Sequence, residues 1–276
     1  IDGTQDGLKI YGGFANGDPF ADRNPTEHRT VLSGDIGDDD ANKIGGVTPT
    51  AYDIRNGNSN HVVSLDGTVG GGITGATVID GVTITGGNAD AIGAIVGSGG
   101  GLLCDAFGGG TCSPLIANVT FRGNASPNQY GGGAMATWGR QGGVSSPTIL
   151  NTTFAENSAG DFGGAIYSQN EGTLTIINAV FASNTCNGDG GAIFSVGGSL
   201  HITNAVFTIN AAGDIGGAIY RPGDTHLANT ILWDNTAGRD YDDTFTRIID
   251  EGGNLDPNTD PLFVDASDPD GPDDVF

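Results

Sequence analysis

The chain has 276 residues, 33 acidic against 10 basic, for a net charge of −23, and 50 of its residues are glycine. Such a surface repels nucleic acid and anionic membranes, which excludes both as partners. A glycine content far above the usual ~7%, with no collagen triplet and with apolar residues throughout, also excludes collagen and disorder.

The first 98 residues are irregular. Leu8-Lys9-Ile10-Tyr11-Gly12-Gly13-Phe14 reads as a strand with no polar cap before it, although solenoid ends need covering, so upstream coils or another molecule are expected there. Residues 15–29 are polar, and Thr30-Val31-Leu32-Ser33-Gly34 returns to strand. Residues 35–51 form a long loop carrying Asp35, Asp38, Asp39, Asp40 and Asn42. Hard oxygen donors at such short spacing suit Ca²⁺, and the competing view is a solvated acidic loop. Residues 61–65 and 76–88 are further strands, the second resembling a coil of the ladder that follows but lacking its phenylalanine.

From 99 to 235 the text repeats. Gly132-Gly133-Ala134-Met135, Gly163-Gly164-Ala165-Ile166, Gly190-Gly191-Ala192-Ile193 and Gly216-Gly217-Ala218-Ile219 share one motif, with Gly100-Gly101-Leu102-Leu103 as a degenerate fifth copy. Each is followed by Phe-x-x-Asn, from Phe121 to Asn124, Phe154 to Asn157, Phe181 to Asn184 and Phe207 to Asn210, and then by the variant Leu232 to Asn235. The phenylalanines step by 33, 27 and 26 residues, and three residues before each stands a second asparagine: Asn118, Asn151, Asn178, Asn204 and, before Leu232, Asn229. A fixed period of this size marks a solenoid. Within a period the apolar runs are four to six residues long, β-branched or alternating, which favours strands over helices. The expected fold is therefore all-β, a right-handed parallel β-helix of three-strand coils, with asparagines at the bends where left-handed φ is needed and stacked amides can bond. About ten coils spaced ~4.8 Å apart make a rod of about 50 Å.

After the ladder, residues 239–246 are polar, 247–249 form a short strand, and Asp260-Pro261-Leu262-Phe263-Val264-Asp265 is expected to close the fold. Asp265, Asp268 and Asp270 in the acidic tail are a second candidate calcium set. One elongated domain is expected over 1–276, with irregular coils at 1–98, regular coils at 99–235 and a closing segment at 236–276. Cys104 and Cys112 flank a seven-residue insertion that a disulfide would close, leaving Cys186 as a lone thiol. No secretory leader and no apolar run of membrane length is present, so the chain reads as a mature or excised piece of something secreted.

The Gly-Gly-Ala-apolar and Phe-x-x-Asn pair resembles the repeat of polymorphic outer-membrane proteins, the autotransporter adhesins of chlamydiae. The wider text, including Ile10-Tyr11-Gly12-Gly13-Phe14, Ile79-Asp80-Gly81-Val82-Thr83-Ile84 and Asp260-Pro261-Leu262-Phe263-Val264, is similar to secreted bacterial β-helix proteins that end in a surface anchor. That resemblance implies the same fold, an extracellular or cell-surface setting and a bacterial source. It also implies coils before the Tyr-Gly-Gly-Phe strand and an anchor after Pro-Leu-Phe-Val, neither of which this sequence contains.

Parallel β-helices also house polysaccharide lyases and glycoside hydrolases, so both chemistries have to be weighed. A lyase needs a base and a cation beside a uronate, and a hydrolase needs two carboxylates roughly 5–10 Å apart. Arg140 beside Trp138, on the longest insertion of the ladder, is the best candidate pocket wall, and Asp161, Asp189 and Asp214 precede successive glycine pairs. Turn positions explain those aspartates equally well. If the Met135, Ile166, Ile193 and Ile219 column points inward, Tyr167, Phe194 and Tyr220 form an outward aromatic ladder, a platform for sugar faces or for a protein. His28, His61, His201 and His226 show no metal-ligand spacing and receive no role. The expected function is a non-enzymatic extracellular surface module for adhesion or assembly, associating end to end and stabilised by calcium, with protein or glycan partners. The alternative is a lyase or hydrolase working in a groove along the rod.

Overall fold

The computed structural model describes residues 1–239 and 243–254. Every pairing between its named strands is parallel, and the chain winds as a right-handed parallel β-helix. Three faces build each coil. The first face stacks Val63–Asp66, Leu102–Asp105, Met135–Gly139, Ile166–Asn170 and Ile193–Val196, continuing into the starts of Ile219–Ala228 and Thr244–Asp250. A parallel bridge from Asp2 to Asp66 adds a level at the top, giving eight on this face. The depth is therefore nearer 35 Å than the 50 Å expected, by the same ~4.8 Å spacing. The loops at 12–29 and 34–62 absorb the sequence that would have made the missing coils.

The second and third faces are the two arms of one bent strand, as in Thr173–Ala182 and Ser199–Thr208. Along 173–182, Leu174 and Ile176 point inward, Asn178 is exposed, and Ala179 and Phe181 point inward again. The bend at Asn178 resets the alternation so that both arms bury an apolar row. It requires left-handed backbone, and Asn118, Asn151, Asn178, Asn204 and Asn229 all hold φ between 48° and 54°. A second left-handed corner, unmarked in the sequence, falls two residues after each phenylalanine, where Gly123, Glu156, Ser183, Ile209 and Asp234 hold φ between 54° and 61°. A two-residue strand then closes the coil, from Ala125–Ser126 through Ser158–Ala159, Thr185–Cys186 and Ala211–Ala212 to Thr236–Ala237.

The core is a column. Phe121, Phe154, Phe181 and Phe207 are fully buried, with centroids 5.0, 4.7 and 4.5 Å apart and planes within 2° of parallel. Ile84 stands above them and Leu232 below. Each offset aromatic pair contributes about 0.5–1.5 kcal/mol beyond the area it buries. The glycine pairs divide their work. Gly132, Gly163, Gly190 and Gly216 hold φ from 58° to 73°, while a Cβ on Gly133, Gly164 or Gly191 would meet backbone of a neighbouring coil at 2.4, 2.3 or 2.0 Å. Leu102 pairs with Met135, so the fifth copy is Gly99-Gly100-Gly101-Leu102, one residue earlier than expected, with Gly101 in the place of the alanine. Cys104 and Cys112 form a disulfide, and Cys186 is a buried thiol that burial pushes up to about 12. The closing segment 260–265 and the tail aspartates Asp265, Asp268 and Asp270 lie outside the described residues.

Candidate functional site

Two asparagine ladders run through the regular coils in opposite directions. In the buried one, Nδ2 of Asn124 donates to Oδ1 of Asn157 (3.0 Å), Asn157 to Asn184 (3.0 Å), Asn184 to Asn210 (2.9 Å) and Asn210 to Asn235 (2.8 Å). Each of Asn157, Asn184, Asn210 and Asn235 also donates to the carbonyl of the phenylalanine one coil earlier, from Phe121 to Phe207. On the surface the sense reverses: Asn229 donates to Asn204, Asn204 to Asn178, Asn178 to Asn151 and Asn151 to Asn118, at 2.9–3.1 Å. A ladder of aligned amides ends in an unsatisfied N–H, and a carboxylate meets each one. Asn118 donates to Asp80 (2.9 Å), itself paired with Arg23 (2.6 Å), and Asn235 donates to Asp243 (2.9 Å).

The aromatic row is stacked and points away from the core. Tyr167 to Phe194 is 5.4 Å, Phe194 to Tyr220 is 5.0 Å, and Phe245 extends the file at 5.0 Å. It is not an open platform. Phe162 lies 4.6 Å from Phe194, and Trp138 with Tyr130, Ala94 and Ile95 seals the upper end, leaving Tyr167 4% and Phe194 8% exposed. Burial pushes the Tyr167 hydroxyl up to about 12. The rings face outward as expected, but Trp138 on the first face and Phe162 before the Gly163 pair, with Tyr130 and the segment around Ile95, cover them. Trp138 belongs to this satellite core, while Arg140 is exposed on the adjoining turn.

The acidic loop carries its own cation. Lys43 pairs with both Asp35 and Asp38. Burial pushes Asp35 up, but Lys43 and the amides of Asp39 and Asp40 outweigh it and hold the carboxyl below its usual range. Asp40 is buried and accepts from Thr48 (2.7 Å), the Arg55 amide (2.7 Å) and Asn58 (3.1 Å), while Asn42 donates to Asp53 (2.7 Å). Oxygens of Asp35, Asp39 and Asp40 do approach within 4.8 Å of one another. Bonds of Asp35, Asp40 and Asn42 also hold the segment 34–62 in place.

That segment makes a groove. It crosses three levels of the third face: Thr48 N–H donates to Thr85 Oγ1 (3.0 Å), Arg122 Nε to the Pro49 carbonyl (3.0 Å), and Ala51 N–H to the Glu156 carbonyl (3.1 Å). Two adjoining hollows share Arg29, Thr83 and Thr120, one extending to Thr153 and Asn151, the other to Val47 and Arg122. Thr83, Thr120 and Thr153 stand in register on successive coils, giving way to Val180 below. This strip of hydroxyls lies beside two guanidinium groups, those of Arg29 and Arg122. Its sequence signal was a threonine recurring one residue before Ile84, Phe121 and Phe154.

Among the aspartates preceding glycine pairs, Asp189 accepts the Ile215 amide (3.2 Å), and Arg239 pairs with Asp214 (3.0 Å). Burial, then the Asp214 charge, push Asp189 above the usual carboxylate range. A raised folded pKa means that the folded chain binds more protons, so the contribution to stability is greatest below the unfolded pKa and is lost as pH rises through the folded one. Asp189→Asn keeps the acceptor and drops the charge. Its melting temperature should exceed that of the parent at neutral pH, with the gain vanishing below the ordinary Asp pKa of ~3.9; a lower melting temperature at neutral pH would contradict this.

Compared with protein-family models, with curated proteins and with solved structures, the chain matches none.

Proposed function

We propose that the chain is an extracellular, non-catalytic β-helix module for adhesion that presents its third-face groove to a glycan. The observation carrying this role is the Thr83, Thr120 and Thr153 file beside Arg29 and Arg122, hydroxyls and guanidinium donors held on a rigid stack. Such a strip offers hydrogen bonds to sugar hydroxyls and carboxylates. The Cys104–Cys112 disulfide supports an oxidising, extracellular setting, and the motif resemblance to outer-membrane adhesins supports surface display. Binding to a panel of acidic and neutral polysaccharides tests the role. Arg122→Ala, checked by melting temperature for retained fold, should weaken the best binder about tenfold, equivalent to ~1.4 kcal/mol. No glycan bound, or one bound equally by Arg122→Ala and Thr120→Val, would reject it.

Assembly end to end is part of the same proposal. Among the described residues, Lys9–Tyr11 and Thr30–Ser33 each pair with one strand only, and Ile10 and Leu32 are half-buried, so the first level offers an open edge. Light scattering that reports a monomeric rod at high concentration would remove this part. Calcium stabilisation would act by competing with Lys43 for Asp35, and a melting temperature unchanged by calcium would remove that part too.

A second reading, hydrolysis or lyase cleavage of a polysaccharide along the same face, draws on Glu156, which lies near Arg122 but does not line the two hollows. Burial pushes its carboxyl up, partly offset by Arg122, as for a general acid beside a cation. Formation of unsaturated products or reducing ends from the bound glycan would favour this reading over the adhesive one.

A further inference from the structure

The four histidines lack local metal-ligand spacing, but the coil brings two of them together. His201 and His226 are Cα partners on adjacent levels of the second face, 25 residues apart in sequence, with rings 4.3 Å apart and 8° from parallel. Glu251, from the next level, meets His226 Nδ1 at 2.9 Å. One donor atom from each of the three lies within 4.8 Å of the others. Thr175 flanks the pair on one side and Ile249 on the other, and neither brings a charge. The nearby carboxylate of Asp224 is held by Arg247 through both oxygens, which leaves Glu251 as the carboxylate that serves the imidazoles.

We propose that His201, His226 and Glu251 form a binding site for a borderline divalent transition metal, of which zinc is the type. Two imidazoles and one carboxylate are the donor set that zinc, nickel and copper prefer, whereas calcium and magnesium prefer oxygen alone. The parallel register sets the imidazole bases one strand apart. All three side chains are partly exposed, with His226 at 32% and Glu251 at 48%, so the rings can turn until their nitrogens converge at ~2.0–2.1 Å from one ion. Water completes the coordination on the open side. The net charge of −23 raises the local cation concentration around such a face.

Titration of the tag-free chain with zinc chloride, followed by calorimetry and by melting temperature, tests the site. One saturable equivalent of zinc should bind and raise the melting temperature, and excess calcium should not displace it. His201→Phe and His226→Phe, which keep an aromatic ring in the stack, and Glu251→Gln, which removes the ligand's charge, should each weaken binding by about tenfold or more. Asp35→Asn, in the acidic loop, should leave the zinc affinity unchanged. The absence of saturable zinc binding, or an affinity unaltered in the His201→Phe, His226→Phe double variant with its fold intact, would overturn the proposal.

Discussion

Gly191→Ala should unfold the regular coils at a much lower temperature than the parent. Its Cβ would stand 2.0 Å from the Gly217 carbonyl oxygen and 2.7 Å from backbone atoms of Ala211, all in the neighbouring coil. Backbone atoms cannot swing aside as a side chain does, so the two coils must part locally and the Asn184–Asn210 rung beside them must stretch. We expect a loss of about 3 kcal/mol or more, at the upper end of overpacking costs. Gly142→Ala is the control. Gly142, unlike Gly191, holds positive φ, 81°, and nothing lies within 4 Å of its Cβ, so only the left-handed strain of ~1–2 kcal/mol remains. Urea titration of both variants compares close stacking with left-handed strain; a Gly191→Ala loss no larger than that of Gly142→Ala would mean that the coils do not pack tightly at Gly191.

Asn184→Ala should be the most damaging polar substitution. The side chain is fully buried and takes part in four hydrogen bonds: it donates to Phe154 O (2.8 Å) and Asn210 Oδ1 (2.9 Å), and accepts from the amide of Asn157 (3.2 Å) and from its Nδ2 (3.0 Å). Alanine leaves the main-chain N–H of Asn157, in the preceding coil, buried without its acceptor and breaks the ladder in two. At ~1–3 kcal/mol for each buried group left unpaired, the loss should be about 3–5 kcal/mol. The surface ladder behaves differently because water replaces its bonds. Asn178→Ala should lose ~1–2 kcal/mol, chiefly from left-handed strain, and Asn178→Gly less than that. If Asn178→Ala proved as costly as Asn184→Ala, the distinction between a buried and a solvated ladder would be wrong.

The repeat made the winding of the chain legible, since Phe121 to Phe207, both asparagine files and the inward Met135, Ile166, Ile193 and Ile219 column recur at fixed offsets. What lies against the outside of the coils was not legible. Phe162 and Tyr130, at positions before the glycine pairs where other coils carry different residue types, cover the aromatic row with the segment around Ile95, and the strap at 34–62 walls the threonine groove; none of these side chains recurs with the period. Their positions follow from tertiary contacts such as Thr48 to Thr85, which leave no spacing to read. Lys43 shows the same limit at short range. A single cation among Asp35, Asp38, Asp39 and Asp40 ties two of these oxygen donors into ion pairs within the turn. The histidine pair was missed for the opposite reason: its spacing is regular, but the unit of regularity is a whole coil and not a helical or hairpin step.

The stacking of buried amides is most directly open to nuclear magnetic resonance on the perdeuterated chain. Scalar couplings across hydrogen bonds should connect the backbone nitrogen of Asn157 to the side-chain carbonyl carbon of Asn184, that of Asn184 to Asn210, and that of Asn210 to Asn235. Couplings leading from these nitrogens to carbonyls elsewhere, with their amide protons exchanging freely into water, would mean that consecutive turns are not superposed and would undo the fold described above.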